Sequence, residues 1–123
     1  MQEEIRPPRP EERAAFLAIA AEYLPGIPPA RVADMPLQLC LARGEALIGV
    51  AYAEPRAQDE LCLQGIAVVH PYNAQGRGGA LLRALEGEAR RRGYAAVSVG
   101  SADGYVERFY RKNGYVPVEL KIF

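Results

Sequence analysis

The chain reads as an α/β (α+β) domain in which a mixed sheet carries helices on both faces, and three observations lead there. Residues 37–54 hold two apolar runs around Gly44-Glu45, the pattern of a β-hairpin. Residues 66–89, IAVVHPYNAQGRGGALLRALEGEA, pass from a strand-like run through a glycine-rich turn into helical spacing. The element order over the whole sequence is β-α(-α)-β-β-β-α-β-α-β, without repeats or linkers.

Each element has a local reason. Residues 2–6 make a short strand ahead of Pro7-Pro8. Residues 11–24 make an amphipathic helix: Ala15, Phe16, Ile19, Ala20 and Tyr23 share a stripe, and Pro25-Gly26 ends it. Residues 30–35 add a helical turn between Pro29 and Pro36. Strand 37–43, a tight turn at Gly44-Glu45 and strand 46–54 form the hairpin. A polar turn over 55–60 leads into a strand over 61–69, where Gly65 predicts a bulge or a close backbone approach. The next helix presents Leu81, Leu82, Leu85 and Ala89 on one face and is followed by strand 95–99. In 103–115, DGYVERFYRKNGY, Asp103 caps a helix, Val106, Phe109 and Tyr110 form its apolar face, and Asn113-Gly114 is its left-handed stop. Residues 116–123 supply one last strand.

Composition narrows the function classes. At 123 residues, half of them hydrophobic and 24% charged, the chain is a single globular domain spanning 1–123. Fifteen basic and fifteen acidic residues cancel, so charge supports neither a nucleic-acid nor a membrane-surface role. Two cysteines, Cys40 and Cys62, sit in strand-like runs without C-x-x-C spacing, and with one histidine they make no metal cluster. The polar start MQEEIRPPRP is unlike a signal peptide, so the cytoplasm is the expected location. Arg90-Arg91-Arg92 reads as the solvated last turn of a helix.

Strand, glycine-rich turn and helix together make a place to hold a phosphate. Glycines admit close backbone approach, and the first helical turn offers unpaired N–H groups and a positive dipole end. The spacing excludes two familiar forms. A P-loop needs Lys and Ser or Thr after its last glycine, but Ala80, Leu81 and Leu82 follow Gly79. A dinucleotide fingerprint needs a third glycine where Leu81 stands.

The segment resembles the acetyl-CoA loop of the GNAT superfamily of N-acetyltransferases, Gln/Arg-x-x-Gly-x-Gly/Ala at a strand-to-helix junction. Two registers fit: Asn73-x-x-Gly76-x-Gly78, which keeps the phase of the leucines, and Gln75-x-x-Gly78-x-Ala80, which matches the letters. The first is favoured, because a helix's buried face is harder to move than one polar side chain. The later block is similar to the superfamily's last helix through Asp103, Tyr110, Gly114 and Tyr115. The element order matches too, over essentially the whole chain.

The resemblance implies a mostly antiparallel sheet whose fourth and fifth strands splay at a bulge near Gly65, with acetyl-CoA as co-substrate. It places the pyrophosphate against Asn73, Gln75, Gly76, Arg77, Gly78, Gly79 and Ala80, and the pantetheine arm against Ala67, Val68 and Val69, with Asp103 also on the cofactor side. Tyr110 is the expected acid for the departing thiolate, and the N–H of Val68 or Val69 the carbonyl polariser. The base is open. Gln64 stands where a carboxylate is common, leaving Glu60 as the candidate catalytic acid/base and Glu54 as its neighbour, through a water relay. His70 reads as loop packing.

The superfamily usually ends in two strands, so a homodimer completing the sheet edge is expected as an alternative to a missing strand. Three functions compete: an N-acyltransferase acting on an amine of a small molecule or peptide, a CoA-binding module without turnover, and a structural domain that binds nothing. No nucleic acid, membrane or metal enters any of them.

Overall fold

The structure, a computed structural model, describes residues 2–99 and 109–115. The expectations for Asp103, Val106 and strand 116–123 lie outside the described residues. The elements are β1 (Glu3–Arg6), α1 (Arg13–Tyr23), α2 (Pro29–Ala33), β2 (Leu37–Arg43), β3 (Ala46–Ala57), β4 (Glu60–Val68), α3 (Arg77–Arg91) and β5 (Ala96–Val99), with residues 109–112 helical beyond them. The five strands lie in the order β1-β2-β3-β4-β5; neighbours among the first four are antiparallel, and β4–β5 is parallel.

Strand alternation splits the core into two layers. On one face Leu37, Leu39 and Leu41 of β2 and Leu61 and Leu63 of β4 meet Leu81, Leu82, Leu85 and Ala89 of α3. Each of those α3 leucines is fully buried, and losing one to Ala costs about 2–5 kcal/mol. On the other face Cys40, Val50 and Tyr52 meet Phe16 and Ala20 of α1 and Val32 of α2. Both cysteines are buried free thiols, and burial pushes that of Cys40 up to about 11.

Three expectations change. Ala15 and Tyr23 are exposed, so the buried stripe of α1 is narrower than its sequence suggests. The helix is preceded by a 3-10 turn, Pro10–Glu12. Pro55 lies inside β3 rather than in a turn. The β2 ladder ends at Leu37↔Ala53, so beyond it a residue without an N–H breaks no bond on that side.

The bulge in β4 appears where Gly65 predicts it. Tyr52 pairs with Gly65 and Ala53 with Leu63, leaving Gln64 as the extra residue. The bulge shifts the inward set from Leu61 and Leu63 to Ile66 and Val68, both packed on the α3 face. A Cβ on Gly65 would lie 2.5 Å from the Tyr52 ring, so the glycine exists to let that ring cross the strand.

Candidate active site

The parallel register between β4 and β5 runs from Glu60↔Ala96 to Leu63↔Val99. From the bulge onward β4 has no β5 partner among the described residues, so over Ile66, Ala67 and Val68 one edge of the strand is unpaired among them. Which groups face that edge follows from the ladder with β3. The Val69 N–H donates to the Ile48 carbonyl at 2.9 Å. In an antiparallel pair the bonding direction alternates, so Ala67 turns its N–H and C=O toward β3 as Val69 does. Ile66 and Val68 turn theirs outward, so of the two amides considered as carbonyl polariser, that of Val69 is already bonded and that of Val68 faces the edge.

The turn after β4 leads to α3 through exposed residues 73–76. Ala74 has φ 60°, and Gly76, the N-cap, has φ 86°, a left-handed conformation that favours glycine. No side chain caps α3, and its first turn holds no acidic residue. The first N–H to find a carbonyl is that of Ala80, bonded to Gly76 at 3.1 Å, so those of Arg77, Gly78 and Gly79 have no acceptor among the described residues. A Cβ on Gly76 would meet nothing within 4 Å, so the space at the N-cap is open among the described residues. Three adjacent amides, a positive dipole end and open room fit a diphosphate. The helix begins at Arg77, with Leu81, Leu82, Leu85 and Ala89 buried as their spacing predicts.

Gly78 and Gly79 have a packing role that the sequence does not disclose. A Cβ on Gly78 would lie 3.2 Å from the Phe109 ring, and one on Gly79 would lie 3.2 Å from Oδ1 of Asn113. The bare start of α3 is therefore also the seat of the segment that carries Tyr110. Tyr110 is buried in the α3-side core and stacks edge-on against Phe109 at 5.3 Å and Tyr115 at 5.8 Å between ring centroids. Burial pushes its phenol up to about 12, with the Cys62 thiol adding to the rise. The hydroxyl thus keeps its proton at neutral and mildly alkaline pH. The Tyr115 hydroxyl donates to Glu86 of α3 at 2.6 Å and anchors the end of the segment.

Side chains on the loop are already engaged. Gln75 Nε2 donates to the Pro71 carbonyl at 3.2 Å, and its Oε1 accepts from Arg77 at 2.6 Å. The Arg77 guanidinium reaches Glu3 and the Tyr72 carbonyl, so what Arg77 offers the open space is its backbone amide. The exposed His70 gives its N–H to the Tyr23 hydroxyl at 3.2 Å, a packing contact across the end of β4. Arg91 and Arg92 pair with Glu88 at the far end of α3, about 22 Å from the loop, as a solvated last turn should.

The structure does not bring Glu60 to the loop. Its carboxylate accepts from Ser98 Oγ at 2.6 Å and pairs with Arg56 at 3.7 Å, four residues or about 13 Å along the strand from the bulge at Gln64. Glu54 is paired with Arg31 of α2. Among the described residues there is no cluster of groups that could hold a metal ion, and no helix is long and apolar enough to cross a membrane.

Comparisons with known proteins agree with this geometry. A family model described as an acetyltransferase (GNAT) domain matches residues 37–117. No curated protein matches the sequence. Among solved structures, the chain is similar to Ard1 from Thermoplasma volcanium, with a TM-score of 0.83 and 20% identity over 97% of this chain and 86% of that one. It is similar to the aminoglycoside N-acetyltransferase AAC(6')-Iy in complex with CoA, with a TM-score of 0.82 and 15% identity over 99% and 93%. The ribosomal-protein-S18-alanine N-acetyltransferase from Escherichia coli aligns with a TM-score of 0.74 and 23% identity over 92% and 77%. At these identities the likeness is one of fold.

Proposed function

The chain belongs to the GNAT acetyltransferase family, and from that premise we propose that it moves the acetyl group of acetyl-CoA onto a primary amine of a small molecule or peptide. One observation carries the reading: among the described residues, an α3 start with no side-chain cap and three amides lacking acceptors follows a stretch of β4 that has no partner beyond β3. When bound, acetyl-CoA supplies an activated thioester. The chain's own residues divide the remaining work. Arg77, Gly78 and Gly79 give backbone N–H groups to the pyrophosphate, with Asn73, Gln75, Gly76 and Ala80 shaping the turn around it. Val68 turns its N–H toward the thioester carbonyl and its C=O toward the pantetheine arm, while Ala67 and Val69 hold β4 in place against β3.

Tyr110 donates a hydrogen bond from its hydroxyl to the departing sulfur. A phenol raised to about 12 is a weaker acid than a thiol of about 8.5, so its contribution is a hydrogen bond that stabilises the thiolate as charge develops. Glu60, already bonded to Ser98, draws the ammonium proton of the acceptor through water. The acceptor itself is not carried by the fold: one similar structure is an aminoglycoside acetyltransferase and another a ribosomal-protein acetyltransferase.

A second reading, a CoA-binding module without turnover, draws on the ion pairs of Glu54 and Glu60, which leave neither carboxylate free as a direct base. Two measurements separate the readings. Acetyl-CoA is expected to raise the melting temperature by mass action, with ATP and NAD far less effective at equal concentration. Steady release of CoA–SH on a panel of amines, polyamines and peptide N-termini marks an enzyme. Binding without release on any of them marks the module, and no binding overturns both.

A further inference from the structure

We propose that Glu3, on the first strand, is a positioning residue for the cofactor loop: it holds the Arg77 side chain and through it sets the direction of the first turn of α3. The part about the cofactor rests on the acetyl-CoA reading above. Glu3 and Arg43 are register partners at the β1–β2 edge. Glu3 Oε2 accepts from Arg43 at 2.6 Å and from Arg77 NH2 at 2.7 Å, while its Oε1 accepts from Arg77 Nε at 2.8 Å. The Arg77 contact is bidentate, the arrangement that fixes a guanidinium in direction as well as distance.

Arg77 spends its remaining reach on the loop itself. It donates to the Tyr72 carbonyl at 3.3 Å and to Gln75 Oε1 at 2.6 Å, and the Tyr72 ring has Arg43 and Arg77 at 5.2 and 5.4 Å from its centroid. One carboxylate on β1 therefore ties both sides of the turn to the sheet, across 74 positions of sequence. Two features show that the turn needs such a tie. Ala74 holds a left-handed conformation without being glycine, which backbone sterics oppose. Arg77 is also the first residue of α3, where a cation opposes the helix dipole unless an anion compensates it. Glu3 is that anion, and the two arginines hold its carboxyl down at about 2, so the tie stays charged at any working pH.

The test uses the whole protein and the variants Glu3→Gln, Arg77→Gln and their double, with Glu4→Gln on the same strand as control. Hydrogen exchange in the ligand-free protein is expected to quicken at the hydrogen-bonded amides of Tyr72 and Ala80, on the two sides of the turn, in Glu3→Gln and not in Glu4→Gln. Calorimetry is expected to show acetyl-CoA bound roughly 5- to 10-fold more weakly by Glu3→Gln, with turnover at saturation unchanged. Arg77→Gln should reproduce the loss, and the double variant should be no weaker than the worse single. Unchanged loop exchange in both single variants overturns the proposal. So does tighter acetyl-CoA binding by Glu3→Gln, which would mean that Glu3 withholds Arg77 from the phosphates. Failure of the wild type to bind acetyl-CoA would refute the cofactor reading instead, and loop exchange alone would then decide the tie.

Discussion

Two helices of this domain begin in opposite ways. The chain enters α1 through a 3-10 turn bearing Glu11 and Glu12, and the Glu12 carboxylate accepts the Arg9 N–H at 2.8 Å and a fork from Arg6. Glu12 stands at the N-cap of that helix, and the 3-10 turn gives the Arg13 N–H the Pro10 carbonyl, so acids and backbone of the chain itself lead into its positive end. Neither helix has a side-chain cap or an acid in its first turn, but α3 has a left-handed glycine at its N-cap where α1 has Glu12, and no 3-10 turn leads into it. A helix start left bare usually costs stability, about 1 kcal/mol for a missing cap. Leaving one bare at the strand-to-helix turn that follows β4 makes sense when an anion from outside completes it.

Giving α3 what α1 already has should produce the largest effect. Gly76→Glu places an acid at the bare start, in open space and at φ 86°, and should weaken acetyl-CoA binding by about 100-fold or more in calorimetry at modest loss of melting temperature. Gly78→Glu should lose binding and stability together, because its Cβ meets Phe109 at 3.2 Å. Unchanged affinity in both variants breaks the comparison.

Next in size is Tyr110→Phe, expected to lower turnover by roughly 10²-fold while acetyl-CoA affinity barely moves, since the ring keeps its packing. A core role alone would shift stability by about 1 kcal/mol and leave turnover near wild type. Glu60→Gln is expected to cost no more than about tenfold in turnover, the size of a base that works through water. A loss of 100-fold or more would make Glu60 a direct base despite its bond to Ser98.

The smallest effect concerns acid. Glu3, Glu12 and Glu88 each have their carboxyl held down at about 2 by arginine partners. A depressed folded-state value means that the stability these groups contribute is complete above about 4.5 and is lost as pH falls toward 2. The melting temperature should therefore drop across that window, and Glu12→Gln should flatten part of the drop. A profile insensitive to that substitution would show the self-satisfied start of α1 to be worth nothing.

What the sequence disclosed and what it hid follow the range of the interactions. Strand 37–43 was readable because Pro36, Gly44 and the alternation of leucines are all local, and the structure has it at Leu37–Arg43. The glycine-rich turn ahead of α3 was readable for the same reason: glycines, strand and helix lie within one stretch of chain. The bulge was signalled by Gly65, but its cause, a Tyr52 ring from the neighbouring strand, was not. Choosing between Val68 and Val69 needed the ladder with β3, which only the Val69–Ile48 bond supplies. The Glu3 tie to Arg77 and the Phe109 seat on Gly78 join residues far apart in the chain, and no spacing rule announces them.

The most direct test of the account is a proton–nitrogen correlation spectrum of the protein titrated with acetyl-CoA, comparing the amides at the two helix starts. Large shifts are expected at Arg77, Gly78 and Gly79 that saturate with the ligand, with Ala14, Ala15 and Phe16 of α1 unmoved. Shifts spread equally over both starts, or absent from α3 while acetyl-CoA binds elsewhere, would contradict it.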